Sequence, residues 1–278
     1  MKFRKTLLAL TLCVTGATAQ SPALAQETVT FQASPIVPTA FKVKRAKAKG
    51  IELKPTPGIE LTGEFYASSA GDKSPAVVIL ISGDGLQESH LQWAETLAEA
   101  GYAALVVDSF GSRGGINAMD TAGVDYNDDA VSGYRYLAGR DDVDPNRIAV
   151  LGFSTGGAQV MSVTNEATAR IPDSFTPYAA ISMYPICPPD GVNKWPLLIV
   201  AGDQDSMISL TSCQMHTYNS MKNEHPAELE VIMGATHFFD NPMYEEGGGL
   251  DMLGFTYDEA ARKEAVARVL DYLNNTAS

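Results

Sequence analysis

The sequence predicts an α/β fold in which helices cover both faces of a mostly parallel central sheet. Short apolar segments of strand composition recur from residue 76 onward, and helical periods stand between several of them. This alternation is typical of parallel strands, because each pair needs a long crossover connection. The composition, 45% hydrophobic and 19% charged, is that of an ordinary folded protein. The predicted strands lie at 76–81, 103–107, 148–153, 179–183, 197–201 and 229–233, and the clearest helical periods at 91–98 and 260–270.

The first 25 residues have the composition of an export signal. Three basic residues precede an apolar stretch at 6–19, and Ala23-Leu24-Ala25 has the small-x-small pattern of a cleavage site. The apolar stretch is too short for a membrane span. We expect cleavage after Ala25, a periplasmic or secreted mature protein and no membrane anchor. A genuine N-terminal helix and a lipoprotein signal at Cys13 are the alternatives.

The charge of the chain limits its partners. It has 20 basic and 33 acidic residues, a net charge of −13, and loss of the leader with its three basic residues makes this −16. Nucleic acid and anionic lipid are poor partners for so acidic a protein. Residues 26–278 contain no repeat, low-complexity tract or linker, so we expect one domain there. The basic stretch at 42–49 is interpreted as a solvated strand or arm, with a binding patch as the alternative.

A glycine-rich corner surrounds Ser154. The stretch RIAVLGFSTGGAQVM runs from a strand pattern into a helical one, and Gly152, Ser154 and Gly156 make the pattern G-x-S-x-G. Such a corner exposes the serine hydroxyl and turns the backbone N–H of the next residue, Thr155, toward the substrate oxygen. A serine attacks a carbonyl only when a base takes its proton and N–H groups stabilise the oxyanion. We therefore predict that Ser154 is a nucleophile, with a plain turn at the end of a strand as the alternative.

The catalytic acid is expected after a later strand. In the α/β-hydrolase order the nucleophile is followed by the acid and then by the base. The stretch PLLIVAGDQDSM places Asp203 and Asp205 beyond the predicted strand at 197–201. We favour Asp205, because it lies far enough past Gly202 to reach beyond the sheet edge. The alternatives are Asp203 as the acid, or helix capping by both carboxylates.

Position along the chain separates the four histidines. His90 precedes the nucleophile and opens a helix. His216 falls within a helical stretch and His225 in a polar turn. His237 directly follows the last predicted strand. We predict that His237 accepts the Ser154 proton while the acid fixes its tautomer, with a surface histidine as the alternative.

The loop after the first predicted strand reads SGDGL and should supply a second oxyanion donor. We assign this role to the backbone N–H of Asp84. A register shift by one residue would give it to Gly83 or Gly85, and an ordinary turn is the remaining alternative.

Over about residues 60–275 the chain resembles the dienelactone hydrolase family of α/β-hydrolases. The similar stretches are WAETLAEAGYAALVVDSFGSRG, DVDPNRIAVLGFSTGG, GDQDSMISLTSC and GATHFFD. The resemblance implies an α/β-hydrolase fold and gives Ser154, Asp205 and His237 the family's nucleophile, acid and base positions. The type enzymes of the family have a cysteine nucleophile, whereas this chain has a serine, as many esterase-like members do. The His-Gly start of many oxyanion loops is also replaced here by Ser-Gly.

Three further residues lie in or near these stretches. We interpret Arg113, in DSFGSRGG, as a partner in a structural ion pair, with binding of a substrate carboxylate as the alternative. Loss of the leader leaves Cys187 and Cys213, an even pair in an oxidising compartment, and similar family members carry cysteines in both places. We expect a disulfide between them, because the C-terminal ends of neighbouring parallel strands lie side by side. Two separately buried thiols are the alternative.

These residues together predict hydrolysis of a small ester or lactone through an acyl-Ser154 intermediate. No metal or cofactor is expected, because neither a zinc-ligand spacing nor a phosphate-binding glycine loop is present in the sequence. The alternatives are a peptidase or acyltransferase with the same triad, and a non-catalytic binding protein on a hydrolase scaffold.

The substrate pocket is expected between two segments, 109–127 and 238–256. The short connection at 186–195 leaves no room for a lid domain, which favours short acyl chains. The aromatic and methionine residues of the second segment that we expect in the wall are Phe238, Phe239, Met243 and Tyr244.

Overall fold

The computed structural model describes residues 26–277, except 36, 39, 72, 122–126, 166–170 and 246–253. The predicted leader, 1–25, lies outside the described residues. The strands are β1 Gln26–Gln32, β2 Glu60–Tyr66, β3 Ser74–Leu80, β4 Ala103–Asp108, β5 Val143–Phe153, β6 Ala180–Met183, β7 Leu197–Gly202 and β8 Glu228–Ile232. The helices are α1 Ala40–Lys47, α2 Glu88–Glu99, α3 Asn127–Ala138, α4 Thr155–Thr164, α5 Leu210–Ser220 and α6 Glu259–Thr276.

One eight-stranded sheet contains all these strands, in the order β1-β2-β4-β3-β5-β6-β7-β8. Strands β3 to β8 are parallel, and β1 and β2 pair antiparallel at one end. The continuous apolar sequences of β4 and β7 are buried on both faces, as is usual for parallel strands. All six predicted strands are present. The prediction missed β1, which has only two buried residues, and β2, whose buried Leu61, Gly63 and Phe65 alternate with polar residues and include only two large apolar side chains.

Helices cover both faces of the sheet. Successive strand residues point to opposite faces and so contribute to two separate hydrophobic clusters. On one face α2 packs through Trp93 and α6 through Val269. On the other face α3 packs through Leu137, α4 through Val160 and α5 through Cys213. This is the predicted α/β-hydrolase architecture. Within the described ranges, none of the helices combines the length and the apolar character needed to cross a bilayer.

The basic stretch at 42–49 is mostly helical, since it falls largely in α1, so the expected strand or arm is wrong. Alanine, lysine and arginine have high helix propensity, and α1 contains a single β-branched residue, Val43. The expected solvation is present, because no residue of α1 is buried.

The parallel strands β3 to β8 end along one side of the sheet, which we call the carboxyl edge, and begin along the opposite side, the amino edge. Ligands of open α/β sheets bind outside the carboxyl ends of the strands. The loops that leave the carboxyl edge carry Asp84, Ser154, Asp205 and His237. The fold therefore brings residues from distant parts of the sequence to one side of the molecule.

A disulfide joins Cys187, in the loop after β6, to Cys213 in α5, across a sequence separation of 26 residues. The expected pairing is thus present in the structure. It ties the loop after β6 to the helix that follows the Asp205 loop.

Candidate active site

Ser154 lies on a tight corner between β5 and α4, with φ of +49° and ψ of −107°. A positive φ is uncommon for a residue other than glycine and occurs where the surrounding structure holds it. Here the Ser154 N–H donates to Met183 O at 3.0 Å, and the N–H of Ala158 donates to Ser154 O at 2.8 Å. The corner therefore ends the strand, begins the helix and leaves the half-buried serine side chain at the carboxyl edge.

The glycines beside Ser154 are required by close backbone contacts. A Cβ atom on Gly152 would collide with the carbonyl of Gly156. A Cβ atom on Gly156 would collide with the carbonyl of Leu80 in β3. The G-x-S-x-G pattern is thus explained by the packing of the corner itself.

Ser154, His237 and Asp205 form a continuous chain of hydrogen bonds. Ser154 Oγ lies 2.9 Å from His237 Nε2, and His237 Nδ1 lies 2.7 Å from Asp205 Oδ2. The side chains of His237 and Asp205 are almost fully buried. Because an ionised carboxylate only accepts hydrogen bonds, Nδ1 carries the ring proton and Nε2 presents a lone pair to the serine hydroxyl.

Both of the aspartates after β7 are hydrogen-bonded, but to different partners. Asp205 Oδ1 accepts the N–H groups of Met207 at 2.8 Å and Ile208 at 3.1 Å. These bonds resemble a helix cap, and they hold the carboxylate so that its other oxygen faces the imidazole. Asp203 instead accepts the N–H of Gly234 at 2.5 Å, in the loop after β8. The geometry therefore favours Asp205 over Asp203 as the partner of His237.

The other histidines lie elsewhere. His90 is buried, its Nδ1 accepts the N–H of Gln87 at 3.0 Å, and burial lowers its pKa to about 3. His216 is buried in α5, and burial lowers its pKa too. His225 lies in the turn before β8. Among the described residues, no three His, Cys, Asp or Glu side chains are grouped so that they could hold a metal ion.

The loop at 82–86 lies directly against the first residue of α4. A Cβ atom on Gly83 would come within 2.6 Å of Thr155 Oγ1. The N–H of Gly85 donates to Ser82 O at 3.1 Å, which occupies that donor and leaves Asp84 or Gly83 as the candidate for an oxyanion. Thr155 is the first residue of its helix, so its N–H has no intrahelical acceptor. The two predicted donor segments are therefore adjacent.

His90 holds this loop in place, a role that the sequence did not indicate. His90 Nε2 lies 3.2 Å from the backbone N of Ser82, whose N–H it accepts, and 3.1 Å from Ser82 Oγ, while Nδ1 accepts the N–H of Gln87. The Ser82 hydroxyl in turn donates to Asp84 Oδ1. Burial raises the pKa of the Asp84 carboxyl, while the hydrogen bond from Ser82 opposes that shift.

A buried network beside His237 was also missed. Asp240 accepts the Tyr184 hydroxyl at 2.8 Å and the Trp93 Nε1–H at 2.6 Å, and burial raises the pKa of Asp240. The Tyr184 ring meets the His237 ring edge to face at 4.8 Å between centroids. Trp93 and Asp240 are 147 residues apart in the sequence, so no local pattern could reveal the contact. The network fixes the side of the imidazole that does not face Ser154 or Asp205.

Aromatic residues from the predicted second wall surround His237. The Phe238 ring stacks on the Tyr244 ring at 5.3 Å, and the edge of Phe255 packs against both. Phe239, by contrast, has no exposed surface and belongs to the core under α2 and α6, so its assignment to the pocket wall was wrong. The parts of the predicted walls at 122–126 and 246–253 lie outside the described residues.

Arg113 forms the structural ion pair that we expected. Its two terminal nitrogens donate to the two oxygens of Asp129 at 2.9 and 2.8 Å, and the Asp129 side chain is fully buried. Nη1 also donates to Ser109 O. Because the guanidinium is directed at Asp129, the geometry does not favour a role in binding a substrate carboxylate.

Known proteins similar to this chain include a probable lactonase and an uncharacterised protein. The chain is 25% identical over 185 residues to a probable 2-oxo-3-(5-oxofuran-2-ylidene)propanoate lactonase from Bradyrhizobium sp., a match that covers 59% of this chain and 73% of the relative. It is 24% identical over 225 residues to the uncharacterised protein Rv2307c of Mycobacterium tuberculosis, covering 74% of this chain and 78% of the relative.

Solved structures share the fold. A dienelactone hydrolase-like promiscuous phosphotriesterase from metagenomic libraries superposes with a TM-score of 0.65 and 18% identity, covering 91% of this chain and 99% of that one. Esterase 2 of Thermogutta terrifontis, phosphorylated by paraoxon, superposes with a TM-score of 0.54 and 20% identity, covering 77% of this chain and 89% of that one. The sequence pattern of the dienelactone hydrolase family matches residues 63–277. The chain is therefore a member of the dienelactone hydrolase family of α/β-hydrolases.

Proposed function

We propose that the protein is an exported serine hydrolase that cleaves small carboxylic esters or lactones through an acyl-Ser154 intermediate. The observation that carries the proposal is the unbroken path from Ser154 Oγ through the His237 ring to Asp205, with both hydrogen bonds under 3 Å. A binding protein on the same scaffold would have no need for a strained serine whose hydroxyl faces an oriented imidazole.

In the first half of the reaction, Ser154 Oγ attacks the ester carbonyl carbon as its proton passes to His237 Nε2. The negative charge that develops on the carbonyl oxygen is stabilised by the backbone N–H groups of Thr155 and Asp84. Asp205 stabilises the imidazolium. The tetrahedral intermediate then collapses, the alcohol takes the proton from Nε2 and leaves, and Ser154 carries the acyl group.

In the second half, His237 Nε2 takes a proton from water, and the resulting oxygen attacks the acyl carbon. The same N–H groups stabilise the second oxyanion, and the proton returns to Ser154 Oγ as the carboxylic acid leaves. Water as the acceptor distinguishes hydrolysis from acyl transfer. The lactonase and esterase among the similar proteins favour ester chemistry over peptide cleavage.

The test is hydrolysis of p-nitrophenyl acetate by the mature protein and by Ser154→Ala. We expect the variant to lose turnover on the order of 10⁶-fold, since loss of a triad nucleophile has that effect in serine proteases. Ser162→Ala, in the same helix as the nucleophile, is the matched control and should keep wild-type turnover.

A fluorophosphonate provides a second readout that does not depend on the chosen ester. It should add one phosphonyl group to Ser154 in the wild-type protein and none in Ser154→Ala. A folded Ser154→Ala protein that still hydrolyses the ester, or a wild-type protein that neither turns over esters nor reacts with the probe, would contradict the proposal.

Export is proposed on the leader-like composition of residues 1–25 and on the disulfide, which is common in oxidising compartments. Intact-mass analysis of protein recovered from the periplasm or medium of an expressing bacterium should show an N-terminus at Gln26. Retention of residues 1–25 in a protein confined to the cytoplasm would exclude export.

A further inference from the structure

Large apolar side chains are exposed on every loop that surrounds the catalytic serine. They come from the loops after β3, β4, β6, β7 and β8, and each has between 37% and 88% of its surface exposed. We name this set the apolar rim: Leu86, Ile116, Met119, Ile186, Met207 and Met243.

Hydrogen bonds and ring contacts tie the rim to the site on two sides. The N–H of Ala118 donates to Gly83 O at 2.9 Å, which holds the loop bearing Ile116 and Met119 against the predicted oxyanion donors. Met207 donates its N–H to the Asp205 carboxylate at 2.8 Å. The rim therefore adjoins both the oxyanion loop and the catalytic acid.

The remaining members continue this border. Ile186 follows Tyr184, whose ring contacts His237, within the same short loop. Met243 precedes Tyr244, whose hydroxyl contacts the Asp84 carboxylate at 3.5 Å. The exposed apolar side chains are thus distributed over five loops of the carboxyl edge and are not confined to one of them.

Large apolar side chains that are exposed together at one edge of a sheet favour a surface that binds something apolar, because leaving them in water costs free energy that binding recovers. Three of the six are methionines, whose unbranched and polarisable side chains adapt to ligands of different shape. Three of the loops that carry the rim also carry Asp84, Asp205 and His237, which points to an occupant that is the part of the substrate extending out of the pocket.

We propose that the preferred substrates are esters with an extended apolar portion, an alkyl chain of several carbons or an aromatic group, which lies across the apolar rim while the carbonyl is held at Ser154. This inference rests on the proposed ester hydrolysis. It modifies the expectation of short acyl chains, because a pocket without a lid leaves the rim open to an extended group.

The first measurement compares substrates of different length. Methyl acetate has no long chain. Methyl octanoate has a long acyl chain, and octyl acetate has a long alcohol portion. We expect kcat/KM to exceed the methyl acetate value for at least one of the octyl-length esters, through a lower KM.

The variant is Met119→Gln with Met243→Gln, which changes the rim to polar side chains of nearly equal size. We compare kcat/KM for the preferred long ester with kcat/KM for methyl acetate, and we expect the substitutions to lower this ratio about tenfold. That is the loss in binding expected when the apolar contacts of two partly buried methionine side chains are removed. Met215→Gln with Met221→Gln is the matched control and should keep the wild-type ratio, because these exposed methionines lie in the middle of α5 and directly after its last residue.

A binding measurement separates this inference from the proposed function. In the Ser154→Ala background, a fluorescent octyl amide should bind about tenfold more weakly after the rim substitutions than after the control ones. Equal binding in the two variants would overturn the proposal whether or not the wild-type protein hydrolyses esters. A wild-type dimer that the rim substitutions convert to monomers, with no change in binding of the probe, would also overturn it, because the occupant would then be a second copy of the chain.

Discussion

The two edges of the central sheet differ in what they expose. Among the residues that the structure describes, the turns of the amino edge expose no large hydrophobic side chain. These turns are 67–73, 100–102, 139–142, 176–179, 194–196 and 222–227. The nearest exposed one is Met221, at the end of α5. At the carboxyl edge, five of the loops that leave β3 to β8 carry the apolar rim. Both edges belong to the same strands, so the difference reflects the loops and not the sheet.

Backbone strain follows the same division. Four described residues other than glycine have positive φ, and three of them, Ser154, Tyr184 and Phe238, lie at the carboxyl edge around His237. The fourth, Lys73, lies in the turn before β3 at the amino edge. Strained residues persist where neighbouring structure holds them, and they cluster at functional sites. The comparison indicates that the strain at the carboxyl edge serves to position the imidazole, whereas the strain at Lys73 has no such use.

After loss of the nucleophile itself, the largest expected effect concerns the acid. Asp205→Asn should lower turnover on the order of 10⁴-fold, because an amide N–H cannot accept the proton on Nδ1 and the wrong imidazole tautomer is favoured. Asp203→Asn is the matched control two residues earlier, and it should cost far less, because Asp203 bonds to the backbone of Gly234 and not to His237. Measured kcat values in the opposite order would transfer the acid role to Asp203.

The reason that Asp205 was predictable also marks the limit of the sequence. Ser154 directly follows β5, and Asp205 and His237 lie three and five residues past the ends of β7 and β8, so chain order and strand pattern singled them out without knowledge of contacts. The network of Trp93, Tyr184 and Asp240 leaves no such trace, because its members come from different elements and meet only when the sheet forms. Functional groups at strand ends are readable from periodicity, whereas the residues that support them from the side depend on tertiary packing.

The fold shows the same limit. The buried parallel strands were predicted from their continuous apolar runs, but β2 was not, since a sheet with one antiparallel end buries strands there by alternation. The strand or arm expected at 42–49 was wrong for a related reason, because α1 has no buried face and so no apolar period to recognise.

Removal of the disulfide tests whether the loops of the carboxyl edge depend on a covalent cross-link for their stability, as those of the amino edge do not. Cys187→Ser with Cys213→Ser should lower the free energy of unfolding by roughly 3–4 kcal/mol, the chain-entropy value for a loop of this length. That corresponds to a fall in melting temperature of about 10 °C for a protein of this size. Turnover should fall too, because the bond ties the loop after β6, which holds Tyr184, to the helix after Asp205.

Reducing agent supplies the control for this prediction. It should lower the melting temperature of the wild-type protein toward that of the double variant and leave the double variant itself unchanged. Two free thiols in the denatured, unreduced mature protein would show that the bond is absent.

The pH dependence of the unfolding free energy tests the burial of His90 beside the oxyanion loop. Burial holds the folded pKa of His90 at about 3, below its ordinary value of 6.5, so only the unfolded chain takes up a proton as pH falls from about 6.5 toward 3. Stability that is fully present above that window is then lost by about 1.4 kcal/mol per pH unit for each such group. In His90→Gln the dependence of unfolding free energy on pH between 6 and 4 should be shallower by that amount. Equal slopes in His90→Gln and in the wild-type protein would contradict the burial of an uncharged His90 beside the oxyanion loop.

The smallest expected effect compares two residues with the same backbone strain, Lys73 with φ of +56° and Phe238 with φ of +58°. A left-handed conformation costs a non-glycine residue about 1–2 kcal/mol, and a glycine in its place avoids this strain. The greater conformational entropy that glycine loses on folding offsets about 0.5–1 kcal/mol of the relief. Lys73 is exposed, so Lys73→Gly should stabilise the protein by up to about 1 kcal/mol with no change in kcat/KM. Phe238→Gly relieves the same strain but removes a ring that packs 4.3 Å from the His237 ring, so it should destabilise the protein and lower kcat. Thermal unfolding and ester turnover of both variants measure the two effects, and a loss of activity in Lys73→Gly would mean that strain at the amino edge also contributes to the site.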